Sequence, residues 1–127
     1  MNLAFYGTLR DRDILQHVMG GALHPYFVET RLVKGWVCLR IVDQAYPLLR
    51  SDEAAVTTFD LYHDCPDECW QRLVHYEGDE YFLGELSLDG ISYNVFLPNS
   101  DLQPSTEEWS LETFQRRDKT QYLKDLL

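Results

Sequence analysis

The sequence is short of positive charge. Eleven lysines and arginines stand against 21 aspartates and glutamates in 127 residues, a formal net charge of −10. Binding to nucleic acid or to an anionic membrane requires a basic stripe, so the composition argues against both partners. The surplus acid is read as solubility rather than as a docking site for a cation. Cysteine is scarce as well: Cys38, Cys65 and Cys69 are three and cannot all pair. The first apolar run passes into Gly7-Thr8-Leu9-Arg10 after a few residues, too short for a signal peptide. Reduced thiols and a cytoplasmic location are therefore expected. Repeats, low-complexity tracts and long linkers are missing, and glycine and proline are modest at 7 and 5. With 45% hydrophobic residues the chain can build a core without disulfides or metal. This length predicts a single domain over residues 1–127.

Several catalytic signatures are also absent. The sequence has no Gly-x-Ser-x-Gly elbow, no phosphate-binding glycine loop and no His-Glu-x-x-His helix. His17, His24, His63 and His75 are scattered. The segment His63 to Cys69 brings an imidazole and two thiols close in sequence, but no second cluster completes a four-ligand zinc site. No metal and no cofactor are expected. The same segment reads better as a helix start, with Asp64 or Cys65 at the cap, Pro66 in the first turn, and Asp67 and Glu68 complementing the dipole.

What is present is a chain of short strand signals with three helical stretches. A strand is predicted in the apolar run that opens at Leu3 and is broken by the Gly7-Thr8 step, with further strands at Phe27–Thr30, Leu32–Arg40, Ala55–Tyr62, Gly84–Leu88 and Ile91–Leu97, and Asp89-Gly90 between the last two is a hairpin signal. Helices are predicted at Asp11–Met19, Pro66–Tyr76 and Ser110–Leu126. Ser105-Thr106-Glu107-Glu108 has the residues to cap a turn before Trp109, and Arg116 to Lys119 reads as a solvated face. Strands that outnumber helices, most able to pair antiparallel, make an α+β fold.

Two segments carry the candidate chemistry. On the second helix Trp70, Leu73 and Val74 mark an inward stripe, and Glu77 takes the next position of that stripe just before Gly78. Two readings are open: the carboxylate swings out to water as the helix ends, or it stays in the core. In the second case desolvation raises its pKa towards neutrality, which suits a residue that must both take and give a proton. Asp79 and Glu80 fall in the following turn and are expected in water, as is His75 on another helix face. Near the N-terminus Tyr6-Gly7-Thr8-Leu9 forms a tight loop between strand and helix, where free backbone N–H groups can hold a carboxylate or an oxyanion and Gly7 allows close approach.

Taken together these segments resemble the gamma-glutamylcyclotransferase-like superfamily, whose members open with a strand into Tyr-Gly-Ser/Thr-Leu and carry a helix ending in Glu-Gly with a Tyr shortly after. The matching residues here are Tyr6-Gly7-Thr8-Leu9-Arg10 and Glu77-Gly78-Asp79-Glu80-Tyr81. Lys34-Gly35-Trp36, Tyr46-Pro47-Leu48-Leu49 and Trp109 to Phe114 are similar to further family segments, in the same order along nearly the whole chain. The chain departs from the family at Leu83, where arginine is frequent, and at Thr57-Thr58, where glycine is frequent; both departures bear on substrate choice.

The resemblance implies a small mixed β-barrel flanked by helices, with a cavity between the first loop and the helix bearing Glu77. It implies a small-molecule gamma-glutamyl substrate whose own α-amine attacks its δ-carbonyl, giving 5-oxoproline and a free amine. Glu77 is the expected general acid/base, and Gly7, Thr8 and Leu9 the expected N–H donors. Tyr6 is expected to line the cavity and Tyr81 to orient Glu77 by hydrogen bond, with plain packing as the alternative for each tyrosine. The rival readings are a non-catalytic small-molecule-binding or regulatory domain that keeps the cavity, and an interaction module whose cavity is packed shut.

Overall fold

The computed structural model describes residues 1–99 and 101–126. The apolar tripeptide Leu3–Phe5 forms β1, too short to be stable alone and buried at every position. It lies in the middle of a six-stranded sheet of order β4-β5-β1-β3-β2-β6. Its partners are β3 (Pro47–Tyr62), antiparallel with Leu3 opposite Tyr62, and β5 (Ile91–Pro98), parallel with Leu3 opposite Asn94.

The two strands predicted around Arg31 are one continuous strand, β2 (Phe27–Ile41), and β3 begins already at Pro47 rather than at Ala55. Together they make a long bent hairpin. The bend comes at a register shift between Lys34 and Trp36, where Gly35 takes a φ of 97° that other residues resist. β4 (Tyr81–Leu88) pairs with β5 through Asp89 and Gly90, both at positive φ, as the hairpin signal requires. Since β4 starts at Tyr81, this residue enters the sheet directly.

The segment Ser105 to Glu108 does not cap a helix. It belongs to edge strand β6 (Pro104–Glu108), paired with β2 at Leu39 and Ile41. A proline and charged residues suit an edge, where one row of backbone groups faces water. Ser110 is the true cap, its side chain accepting from the Thr113 N–H.

The helices are α1 (Arg12–Met19), α2 (Trp70–Glu77), α3 (Leu111–Arg117) and α4 (Lys119–Leu126). The predicted last helix is thus broken at Asp118, which turns away to pair with Arg40 at 2.8 Å. No side-chain cap stands before α2; Pro66 precedes a 3-10 turn over Asp67–Cys69 that leads into it. Among the described residues no helix is long and apolar enough to cross a membrane.

The sheet curls into a barrel-like wall, and the helices pack on it. Leu3, Ile14, Met19, Phe59, Leu61 and Leu73 are all fully buried at this junction. Each such side chain contributes about 1.5–3 kcal/mol relative to exposure. The architecture is α+β, as the pattern of strands and helices predicts, and a small barrel flanked by helices, as the family resemblance implies.

Candidate active site

One end of α2 fixes the carboxylate. Trp70 stacks on Phe96 with ring centroids 5.6 Å apart, and Leu73 is fully buried, so the helix cannot rotate. Val74, predicted inward, is instead exposed, and the stripe runs through Tyr76 and Glu77. Gly78 stops the helix at once, with φ 66° and ψ −160°, a conformation almost confined to glycine. Its N–H still bonds to the Val74 carbonyl, so Glu77 is held in the last turn rather than on a free end.

Glu77 faces a cavity of about 270 Å³. Its other walls come from the loop Tyr6 to Leu9, from Tyr46 and Pro47 at the start of β3, from Tyr81 and Phe96 on β4 and β5, and from Tyr122 on α4. The sequence-predicted residues Tyr6, Gly7, Thr8, Leu9, Glu77 and Tyr81 therefore meet around one space. Leu83 and the Thr57-Thr58 pair do not. Leu83 is exposed on β4, while Thr57 donates to the Trp36 carbonyl at 2.7 Å and lines a different hollow behind Tyr6.

Burial pushes the Glu77 carboxyl up to about 8, because no hydrogen bond or cation among the described residues supports its charged form. Its charge in turn helps to raise Tyr6, Tyr76, Tyr81 and Tyr122, after burial itself as the first cause. Four phenols thus crowd one carboxyl without bonding to it.

Each phenol has another partner. Tyr6 donates to the Phe96 carbonyl at 2.6 Å. Tyr81 does not orient Glu77; its hydroxyl donates to the Pro47 carbonyl at 2.5 Å and pins the opposite wall. Thr8 Oγ1, the Tyr76 hydroxyl and the Tyr122 hydroxyl form a chain with 2.5 Å between successive oxygens. These bonds hold the wall phenols elsewhere and leave the Glu77 oxygens without a hydrogen-bond partner among the described residues.

The loop opposite is a 3-10 turn over Thr8–Arg10. Within it Arg10 and Asp11 donate backward to Gly7 and Thr8, which leaves the N–H groups of Thr8 and Leu9 outside the turn's own bonds. Gly7 is needed for closeness: a Cβ there would meet the Pro47 ring at 3.1 Å. The N-terminus of α1 is not open to a ligand, because Asp11 already accepts from the Asp13 and Ile14 N–H groups at 2.9 and 3.0 Å. The donors of this loop are therefore its own amides and not the helix end.

Sequence reasoning missed Tyr46, Tyr76 and Tyr122 as wall residues. Tyr76 had a usable signal, standing three residues after Leu73 on the inward face. Tyr122 had none beyond membership of an intermittent apolar face. As expected, His75, Asp79 and Glu80 are exposed, although Glu80 accepts a 2.7 Å hydrogen bond from Tyr46.

The fold is shared with solved structures of other proteins. An uncharacterized protein from Pyrococcus horikoshii matches with a TM-score of 0.68 and 18% identity, covering 97% of each chain. A protein from Arabidopsis thaliana solved in solution matches with a TM-score of 0.64 and 17% identity over 98% of this chain and 87% of its own. A uropathogenic Escherichia coli-specific protein matches with a TM-score of 0.55 and 23% identity over 83% and 87%. No family model matches the sequence, and the search of curated proteins found no match.

Proposed function

We propose that the chain is a gamma-glutamyl cyclotransferase of the gamma-glutamylcyclotransferase-like superfamily, acting in the cytoplasm. The observation that carries the reading is Glu77, a carboxyl without a partner among the described residues, facing a tyrosine-walled cavity that the Thr8-Leu9 loop also lines. The free carboxyl is protonated at neutral pH. An incoming substrate ammonium favours its charged form, since an opposite charge at close range lowers a carboxyl pKa. The carboxylate then takes a proton from the α-ammonium of the gamma-glutamyl group.

The freed amine attacks the δ-carbonyl carbon of the same molecule. One C–N bond forms, and the carbonyl electron pair moves to oxygen, where the Thr8 and Leu9 amides steady it. When the carbonyl re-forms, the bond to the departing nitrogen breaks and Glu77 gives its proton to that nitrogen. Glu77 then takes the second proton, which the ring nitrogen sheds on becoming a lactam N–H, and passes it to the departing amine, which leaves as an ammonium. The products are 5-oxoproline and a free amine, with no cofactor consumed. Proximity of nucleophile and electrophile in one molecule supplies much of the acceleration, so a single acid/base and a rigid cavity suffice.

The test is release of 5-oxoproline from pooled gamma-glutamyl amino acids and gamma-glutamyl amines by wild type and by Glu77→Gln. Wild-type release that drops by about 10³-fold or more in the variant is expected, since the residue serves in both proton transfers. Equal release by both proteins would overturn the assignment of Glu77. Silence from the folded wild type across the whole panel, with small acids still bound, would favour the non-catalytic binding domain.

A further inference from the structure

The walls of the cavity hold no lysine, arginine or histidine among the described residues, yet three carboxyls reach it: Glu77 inside and Asp79 and Glu80 at its edge. The innermost, Glu77, has no hydrogen-bond or ion-pair partner among the described residues. Glu80 is fixed rather than loose. Its Oε2 accepts from the Tyr46 hydroxyl at 2.7 Å, and it lines the same cavity as Tyr46, Tyr81 and Tyr122. Its other carboxylate oxygen has no hydrogen-bond partner among the described residues.

We propose that Glu80 is a specificity-determining residue that receives the distal ammonium of a gamma-glutamylated alkyl diamine. The inference rests on the cyclotransferase reading and concerns the departing half of the substrate. The δ-carbonyl oxygen and the α-amine of the glutamyl half are taken by the loop amides and Glu77, so the departing half meets the edge formed by Asp79, Glu80 and Tyr46. A leaving group ending in an ammonium finds a carboxylate there. One ending in a carboxylate finds only like charge, with no cation to offset it. Like and opposite charges about 5 Å apart in a partly wetted mouth differ by enough to separate substrates by roughly tenfold on each side of a neutral one.

The experiment uses three substrates of matched length: gamma-glutamyl-1,4-diaminobutane, gamma-glutamyl-butylamine and gamma-glutamyl-4-aminobutyrate. Their departing chains end in ammonium, methyl and carboxylate. Wild-type kcat/KM is expected to fall in that order, by about tenfold per step at low salt, and the steps shrink as salt is added. Glu80→Gln is expected to bring the ammonium and carboxylate substrates within about threefold of each other, and Glu80→Lys to reverse their order. A wild type that turns over all three equally, or a spread unchanged in Glu80→Gln, overturns the role of Glu80 while leaving the cyclotransferase reading in place. No 5-oxoproline from any of the three or from the wider panel removes both.

Discussion

Asp11 and Glu77 are both carboxyls drawn back from water, Asp11 fully buried and Glu77 half-buried in the cavity wall, and the protein treats them in opposite ways. Asp11, with no solvent exposure at all, accepts from two backbone amides through one oxygen. Its other oxygen accepts from Gln115 and lies 3.0 Å from the Lys119 ammonium. Burial raises its pKa, but the bonds from Gln115, the Ile14 N–H and Lys119 together outweigh that and hold it below the usual carboxylate range. Glu77 has burial and nothing to oppose it, so its pKa rises. The difference separates a carboxylate that joins α1 to α3 and α4 from one kept available. Burial alone does not single out a candidate acid; burial without partners points to one.

The comparison breaks most easily at Asp11. Asp11→Ala is expected to cost about 3 kcal/mol in chemical denaturation, since it removes an N-cap and leaves Gln115 and Lys119 with fewer acceptors. A loss under about 0.5 kcal/mol would mean that the contacts are ornamental. The stabilisation by Asp11 is present above the normal carboxylate range and is lost as pH falls through its depressed folded value.

Glu77→Gln should do the reverse and raise stability, by about 2 kcal/mol at pH 7, because an amide has no charge to desolvate. The sign follows from the raised pKa. Below about 4.5 both folded and unfolded carboxyls are protonated and the cost is absent; it grows as pH rises towards about 8, where the folded group ionises too. Unfolding curves for wild type and Glu77→Gln should therefore converge in acid and separate towards pH 8. A variant less stable than wild type at neutral pH would show that Glu77 has a partner after all.

A smaller effect sharpens the contrast from the tyrosine side. Tyr81→Phe removes the hydroxyl bond to Pro47 and is expected to cost about 1 kcal/mol, read by urea denaturation, while lowering 5-oxoproline release only a few-fold. A collapse of activity with unchanged stability would instead make Tyr81 a direct partner of the reacting atoms.

The position of Glu77 was legible because a helix has a period and Trp70 and Leu73 announce its buried face. Glu77 then follows by geometry, and Gly78 confirms where the helix stops. Val74 misled because it is apolar and adjacent to the stripe but points between α2 and solvent. The turn at Asp89-Gly90 was legible because only a few residue pairs accept positive φ twice. Three features were not. Strand β6 carries Ser, Thr and Glu, residues that cap helices elsewhere, and only pairing with β2 makes it a strand. The break at Asp118 depends on Arg40, far away in sequence. Tyr122 enters the cavity through contacts with Tyr76 and Thr8, which local periodicity does not encode.

Strand β1 has a consequence for how the molecule comes into being. Its neighbours in the sheet, Asp60 to Tyr62 on one side and Asn94 on the other, both lie far along the chain from it. Pairing over such separations is slow and must await the distant residues. A nascent chain emerging from the ribosome therefore carries Tyr6 to Leu9 as an unformed strip until β5 has followed. Any product of interrupted synthesis that stops short of β5 lacks a wall for β1 and cannot assemble the recess around Glu77.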